Sequence, residues 1–334
     1  MKVYELQPRE GFESVTRGER PAPAVGPGQA RVRVRAASLN YRDLVIARGA
    51  SKRTRAIVPL SDGAGEVVAV GAGVTDLAVG DRVAGSFFPT WLDGPLSDAH
   101  HAAALGGGSD GMLAEEVVLP ATAWVKLPAY LSYEEGATLP CAALTAYHAL
   151  FEATSLRPGD LVLVQGTGGV SLFALQMARA AGARVVLTTS SEAKAEQARR
   201  LGAEHVILYP KTPNWGEVAY DWTGGRGVDV VVEVGGSGTF DQSAKALRYG
   251  GTMSLIGVLT GTRSELNTYP LIHRALRVAG IYVGSVAMFE AMNRLLAASQ
   301  IKPVIDRVFD FEAAPEAYAH LASGQHFGKV VVRV

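Results

Sequence analysis

Two stretches of this 334-residue chain carry residues fit for chemistry. The first is Gly166-Thr167-Gly168-Gly169-Val170-Ser171, set between the apolar run Leu161-Val162-Leu163-Val164-Gln165 and Leu172-Phe173-Ala174-Leu175-Gln176-Met177-Ala178. A buried strand, a glycine turn and a helix in that order let the backbone approach a pyrophosphate, and the unpaired amides and positive dipole end of the helix face the anion. Tight turns also use glycine, but this strand-turn-helix context marks a dinucleotide site. Ser171 stands where the fingerprint's third glycine would be, and its small side chain keeps helix and strand close. The second stretch, Ser38-Leu39-Asn40-Tyr41-Arg42-Asp43-Leu44, is a polar cluster that opens a short helix.

The strand after the glycine turn bears on cofactor choice. An NAD site usually places an Asp or Glu about 20 residues past the first glycine. This strand ends instead in Thr188-Thr189-Ser190-Ser191, with Lys194 one turn on. Hydroxyls from Ser190 and Ser191 and the Lys194 cation suit a 2'-phosphate, so the expected cofactor is NADPH, in its oxidised form NADP. On the other reading Ser190 caps the next helix and Lys194 is a solvated helical lysine, with Glu192 nearby weakening a phosphate site. Both readings can hold together.

These residues must be positioned by a chain long enough for two domains at roughly 150 residues each. Lys plus Arg and Asp plus Glu balance at 32 each, so no overall field attracts nucleic acid or an acidic membrane surface. A small-molecule substrate is the expected partner. The single cysteine, Cys141, excludes an internal disulfide and any four-cysteine zinc site, and fits a reducing compartment. With no apolar signal core at the start and no apolar run of about 20 residues, the expectation is a cytoplasmic protein without a membrane span.

The first part reads as short strands. Ala30-Arg31-Val32-Arg33-Val34-Arg35-Ala36 alternates with period two, and glycines punctuate Gly63 to Gly71. Residues 86–112 read as an extended surface lobe in which His100 and His101 point opposite ways, and Trp91 is a candidate cover for a pocket mouth. From about residue 128 the texture changes. Near-continuous apolar strands at 161–165, 184–189, 228–234 and 251–258 alternate with helical segments, as a parallel sheet covered on both faces requires. Val278 to Val283 adds an edge strand, and Lys329-Val330-Val331-Val332-Arg333 closes the chain as a strand expected to rejoin the first domain.

With these stretches in place the whole chain resembles the medium-chain dehydrogenase/reductase superfamily, in its zinc-independent branch of quinone oxidoreductases, enoyl reductases and alcohol-dehydrogenase-like proteins. The resemblance rests on the glycine fingerprint, on Gly63-Ala64-Gly65-Glu66-Val67-Val68-Ala69-Val70-Gly71, on Val79-Gly80-Asp81-Arg82-Val83 and on Leu201-Gly202-Ala203-Glu204-His205-Val206-Ile207. It implies an α/β fold, a doubly wound parallel Rossmann sheet inserted into a mostly β GroES-like catalytic domain, with the active site in the cleft between them. The expected boundaries are 1–126 and 287–334 for the catalytic domain and 127–286 for the nucleotide-binding domain. It also implies a homodimer, or a tetramer, formed by extending the sheet at the Val278–Val283 edge.

The positions that match the zinc ligands of zinc-dependent relatives hold Asn40, Ser61 and Cys141. Asparagine and a neutral serine hydroxyl are poor zinc ligands and one thiolate is too few, so no metal is expected. Asn40-Tyr41-Arg42-Asp43 resembles the corresponding motif of zinc-free reductases. In that light Asn40 orients the nicotinamide or the substrate carbonyl, and Tyr41 donates a hydrogen bond or proton to a developing enolate. A phenol with a pKa of about 10 is a usable donor at neutral pH. Alternatively Asn40 caps its helix while Tyr41 and Asp43 tie loops together, and Asp62 pairs with Arg42. The resemblance further places Thr145 near the nicotinamide, Gly257 and Val258 at its carboxamide, Tyr209 near the adenosine phosphate, and Phe327-Gly328-Lys329 where the catalytic domain reaches the cofactor. His148 and His205 are read as ordinary helix-surface or loop histidines.

The expected function is therefore zinc-independent, NADPH-dependent hydride transfer to a quinone or an activated alkene or carbonyl. The alternatives are an NAD(P)-dependent alcohol dehydrogenase or aldehyde reductase, and a non-catalytic nucleotide-bound binding protein.

Overall fold

The alternating segment at Ala30–Ala36 becomes the central strand of the first of two units in the computed structural model, which describes residues 1–49, 54–261, 263, 265 and 267–334. One unit comprises Met1–Leu144 and Val283–Val334, the other the continuous segment Thr145–Tyr282. The strands in chain order are β1 (Lys2–Leu6), β2 (Val15–Glu19), β3 (Gln29–Leu39), β4 (Asp62–Val70), β5 (Arg82–Gly85), β6 (Glu116–Pro120), β7 (Trp124–Lys126), β8 (Leu161–Gln165), β9 (Arg184–Thr189), β10 (His205–Leu208), β11 (Val228–Glu233), β12 (Leu247–Leu255), β13 (Arg277–Gly280), β14 (Ile305–Asp310) and β15 (Lys329–Arg333).

In the first unit β1 and β2 form a hairpin-like pair, and a seven-stranded sheet runs β14-β15-β3-β4-β5-β7 with β6 also on β3. The closing strand β15 lies antiparallel to β3, with Val330 opposite Leu39. The inward positions of the period-two pattern, Ala30, Val32 and Val34, are buried in one core with Val67, Val83, Leu113 and Tyr318. Gly65 has a packing reason: a Cβ there would sit 2.0 Å from the Arg33 carbonyl oxygen of β3. Residues 127–144, grouped with the nucleotide-binding region in the sequence reading, belong to this first unit because the helix Tyr133–Gly136 packs on β3, β4 and β5.

Two expectations for residues 86–112 are corrected. Phe87, Phe88 and Trp91 are buried and stacked edge to face on one another, so they form a packed cluster. His100 and His101 lie on the helix Asp98–Ala102, capped by Ser97, and His100 stacks on Trp91 with ring planes 12° apart. The capping serine favoured helix over the extended chain assumed for the histidine pair.

The second unit is a parallel sheet in the order β10-β9-β8-β11-β12-β13. Val162, Leu163 and Val164 of β8 and Val230, Val231 and Val232 of β11 are buried, which is why these runs lack alternation. Strands β8 and β11 are neighbours although two other strands of the sheet, β9 and β10, separate them in sequence, so the direction of winding reverses there. Open α/β sheets bind ligands beyond the carboxyl ends of the strands at such a reversal. Strand β13 is an outer edge, shorter than the expected Val278–Val283 span and shifted by one residue. Among the described residues no helix is long and apolar enough to cross a membrane.

Candidate active site

The glycine turn leaves β8 at Gly166, which has φ +70°, a conformation that favours glycine. The helix Gly169–Ala180 starts one residue after Gly168. A Cβ added at Gly168, whose φ is an ordinary −78°, would meet no protein atom within 4 Å. No backbone strain or neighbour asks for glycine at this position. The open space lies at the N-cap of the helix Gly169–Ala180, the end at which the first backbone amides have no intrahelical partner. Thr167 is buried in the turn, and Val170 is half-buried on the first helical turn. Ser171 explains its departure from the fingerprint: its buried hydroxyl donates to the Gln165 carbonyl at 2.5 Å and ties the helix to the end of β8.

At the tip of β9 Ser190 is exposed, while Ser191 caps the helix Glu192–Arg200 by accepting the Lys194 amide at 3.3 Å. The expected cap role therefore falls to Ser191, and Ser190 is left facing solvent. Tyr209, exposed, follows β10 and its amide donates to the Thr189 carbonyl. Lys211, not singled out from sequence, pairs with Glu192 at 3.2 Å and so offsets the carboxylate that weakens a phosphate site. Gly257 donates its amide to the Glu233 carbonyl, and a Cβ there would sit 1.9 Å from the Val234 carbonyl oxygen. Val258 beside it is exposed, and Thr145 is buried.

In the first unit a set of polar groups converges below the start of the helix Tyr41–Ala47. Asn40 precedes that helix in extended conformation and donates its backbone N–H to Asp43 Oδ2 at 2.7 Å. The Lys329 ammonium, 3% exposed, donates to Asn40 Oδ1 and to the Leu39 carbonyl, each at 2.6 Å. Ser61 donates to Asp62 Oδ1 at 2.7 Å, and the Cys141 backbone N–H donates to Asp62 Oδ2 at 3.1 Å. Asn40, Ser61 and Cys141, far apart in sequence, are thus joined around Asp62. Tyr41, by contrast, is 39% exposed at the first helical position.

The charges of this cluster oppose one another. Burial raises the Asp62 carboxyl, opposed by Lys329, Asn40, Ser61 and the Cys141 amide. Burial likewise pushes the Asp43 carboxyl up to about 6, against the pull of Arg42. Desolvation and the Asp62 charge push the Cys141 thiol upward, away from the thiolate form. The expected Arg42–Asp62 pair is not the one formed: Arg42 lies 3.6 Å from Asp43 and donates to the Leu105 carbonyl. Lys329 takes the place beside Asp62, brought there by β15. The Phe327-Gly328-Lys329 motif by itself points Lys329 to the cofactor, and its bond to Asn40 has no local signal in the sequence.

The chain is similar to known proteins over most of its length. A model of the alcohol dehydrogenase GroES-like domain matches residues 26–129, and one of the zinc-binding dehydrogenase matches residues 169–298, a span that contains none of Asn40, Ser61 and Cys141. A zinc-type alcohol dehydrogenase-like protein of Schizosaccharomyces pombe is 45% identical over 97% of this chain and 96% of its own. An acryloyl-coenzyme A reductase of Metallosphaera sedula is 33% identical over 97% of each. Among solved structures, an NAD-dependent alcohol dehydrogenase superimposes with a TM-score of 0.91 at 34% identity over 100% of both chains. A crotonyl-CoA carboxylase/reductase in complex with NADP does so with 0.86 at 26% identity, over 100% of this chain and 94% of that one. This chain belongs to the medium-chain dehydrogenase/reductase superfamily. It is an oxidoreductase with a Rossmann nucleotide-binding unit and a GroES-like unit.

Proposed function

We propose that the chain is an NADPH-dependent, metal-free reductase of small quinones or of activated alkenes and carbonyls such as enones and enals. One observation carries this reading: the Lys329 ammonium is already bound to Asn40 Oδ1 inside the cluster where zinc-dependent relatives would hold their metal. A second cation there would face a fixed positive charge, and its three side-chain donors would be an amide whose oxygen is taken, a hydroxyl committed to Asp62 and a thiol held protonated. The donor set does not fit zinc. Without a Lewis acid, removing an alcohol's proton at neutral pH is unfavourable, whereas an acceptor that spreads its own negative charge needs only hydrogen-bond donors.

Bound NADPH supplies the hydride. The chain binds and polarises. The open space above Gly168 and the amides of Gly169 and Val170 receive the pyrophosphate, with Gly166 and Thr167 shaping the turn, while Ser190, Ser191, Lys194 and Tyr209 serve the adenosine 2'-phosphate side. Thr145, Gly257 and Val258 serve the nicotinamide side. Because Lys329 donates to Oδ1, the Asn40 amide is oriented with its N–H groups on Nδ2 as the donors it offers. The exposed Tyr41 hydroxyl supplies the proton or hydrogen bond to the enolate oxygen.

The relative named as a reductase of acryloyl-coenzyme A and the structure named as a crotonyl-CoA reductase support alkene reduction, and the latter's NADP supports the phosphorylated cofactor. The relatives named as alcohol dehydrogenases favour the second reading, alcohol or aldehyde chemistry. Purified chain given NADPH and a panel of quinones, enones and simple aldehydes separates the two. Stoichiometric zinc together with oxidation of a simple alcohol would establish the second. Tyr41→Phe is expected to lower turnover on an enone about 100-fold with NADPH affinity unchanged; unchanged turnover removes Tyr41 from the chemistry. We further propose a cytoplasmic homodimer joined at the β13 edge, where Val278 and Tyr282 are exposed. A monomeric mass at micromolar concentration overturns the dimer.

A further inference from the structure

At the reversal point of the parallel sheet the carboxyl ends of β8 and β11 are locked together by side chains that the proposed chemistry does not use. Glu233, the last residue of β11, is fully buried. Its Oε1 accepts from the backbone amides of Gly235 at 2.8 Å and Gly236 at 2.9 Å and from the Thr239 hydroxyl at 2.6 Å. Its Oε2 accepts from Gln165 Nε2 at 2.6 Å and from the Ser243 hydroxyl. Gln165, the residue before the glycine turn, also donates to Ser243 Oγ at 2.7 Å and accepts the Val234 and Gly235 amides on its own Oε1 at 3.2 and 3.1 Å.

The amide of Gln165 and the carboxylate of Glu233 each have a fixed orientation in this circuit. Turning the Gln165 amide over would set its N–H groups against the Val234 and Gly235 amides, and Glu233 receives donors on both oxygens. The circuit therefore fixes two backbone turns relative to each other: the one that begins at Gly166 and the one through Gly235 and Gly236. The second turn is itself the backing of the segment at Gly257. A Cβ at Gly236, whose φ is +91°, would lie 2.9 Å from the Gly257 carbonyl oxygen and 3.0 Å from Val258 Cα. Thr260 closes it further, its amide donating to the Gly235 carbonyl at 2.7 Å and its hydroxyl accepting the Gly238 amide at 2.8 Å.

We propose that Glu233 is a positioning residue for the cofactor: it sets the Gly235–Gly236 turn and, through it, Gly257 and Val258, so that the nicotinamide half of the nucleotide is held in register with the phosphate half. The inference rests on the dinucleotide reading of the glycine turn. The Glu233→Gln variant keeps size and shape but places an N–H group against two or three donors, and Gln165 cannot turn to accept it. Ser243→Ala removes one donor without creating such a clash.

The test measures equilibrium binding of two probes, NADPH and 2',5'-ADP, to wild type and both variants, with thermal unfolding of each. For Glu233→Gln the expected result is an NADPH Kd raised about tenfold or more with the 2',5'-ADP Kd within about twofold of wild type, and the same pattern, smaller, for Ser243→Ala. A purely structural role would lower the melting temperature and weaken both probes together, or move neither. Either of those results overturns the assignment. A wild-type chain that binds neither probe overturns the dinucleotide reading itself and the inference with it.

Discussion

Lys329 Nζ donates to Asn40 Oδ1 at 2.6 Å across 289 positions of sequence. This bond fixes which end of the amide is the donor, and it puts the only buried cation of the cluster beside Asp62. Lys329→Met is expected to leave Asp62 as an uncompensated buried charge and to cost about 3–5 kcal/mol of stability, read by urea unfolding. The Asp62→Asn/Lys329→Met double variant should recover part of that loss, with a coupling of about 1–3 kcal/mol. Additive losses would mean that the two groups do not compensate one another.

Asp43 makes stability depend on pH in a defined direction. Its carboxyl is raised to about 6 by burial, whereas in the unfolded chain it titrates near its ordinary value of about 3.9. Between those values the folded state holds a proton that the unfolded state has released, so its contribution to stability falls as pH rises through the window, by roughly 3 kcal/mol in all. Wild type compared with Asp43→Asn by urea unfolding from pH 4 to pH 7 should show that difference opening with pH. A constant difference would place the Asp43 titration elsewhere.

Gly168 separates ligand from fold. Because an added methyl meets no protein atom, Gly168→Ala should change unfolding free energy by no more than about 1 kcal/mol, the scale of losing a favourable residue at a helix start. NADPH binding should nonetheless weaken about tenfold or more, since the methyl intrudes on the space assigned to the pyrophosphate. Retained NADPH affinity would put the phosphates elsewhere.

The tip of β9 should decide between the two nicotinamide cofactors. Lys194→Ala and Ser190→Ala are each expected to raise the Michaelis constant for NADPH about three- to tenfold and to leave that for NADH nearly unchanged, the scale of one charge-assisted hydrogen bond lost. Equal effects on both cofactors would show that these side chains do not meet the 2'-phosphate.

The features legible in the sequence were those encoded within a few residues. The glycine turn, its strand and its helix are contiguous, and their apolar texture reports a sheet covered on both faces. The closing strand was legible for the same reason, as a run of valines. What it carries was not: Lys329 meets Asn40 only because β15 lies beside β3, and no local pattern ranks partners at that distance. The Arg42–Asp62 expectation failed on the same point, since the neighbouring Asp43 was within reach on the first helical turn. His100 and His101 are helical because Ser97 caps that helix, a local signal that an extended reading of the pair leaves out. Glu233 gave no signal beyond an acidic residue before two glycines, because its meaning lies in the donors that surround it.

The split of the first unit sets an order on its making. On a growing chain, everything from Thr145 to Tyr282 is available before residue 283 is added, whereas the cation that completes the Asn40 cluster arrives with residue 329. Synthesis at about 5–20 residues per second leaves the two apart by several seconds. During that interval the ribosome holds a chain whose Asp62 and Asn40 have been translated but whose counter-ion has not, so the Asn40 cluster closes only after the whole Thr145–Tyr282 unit has been made.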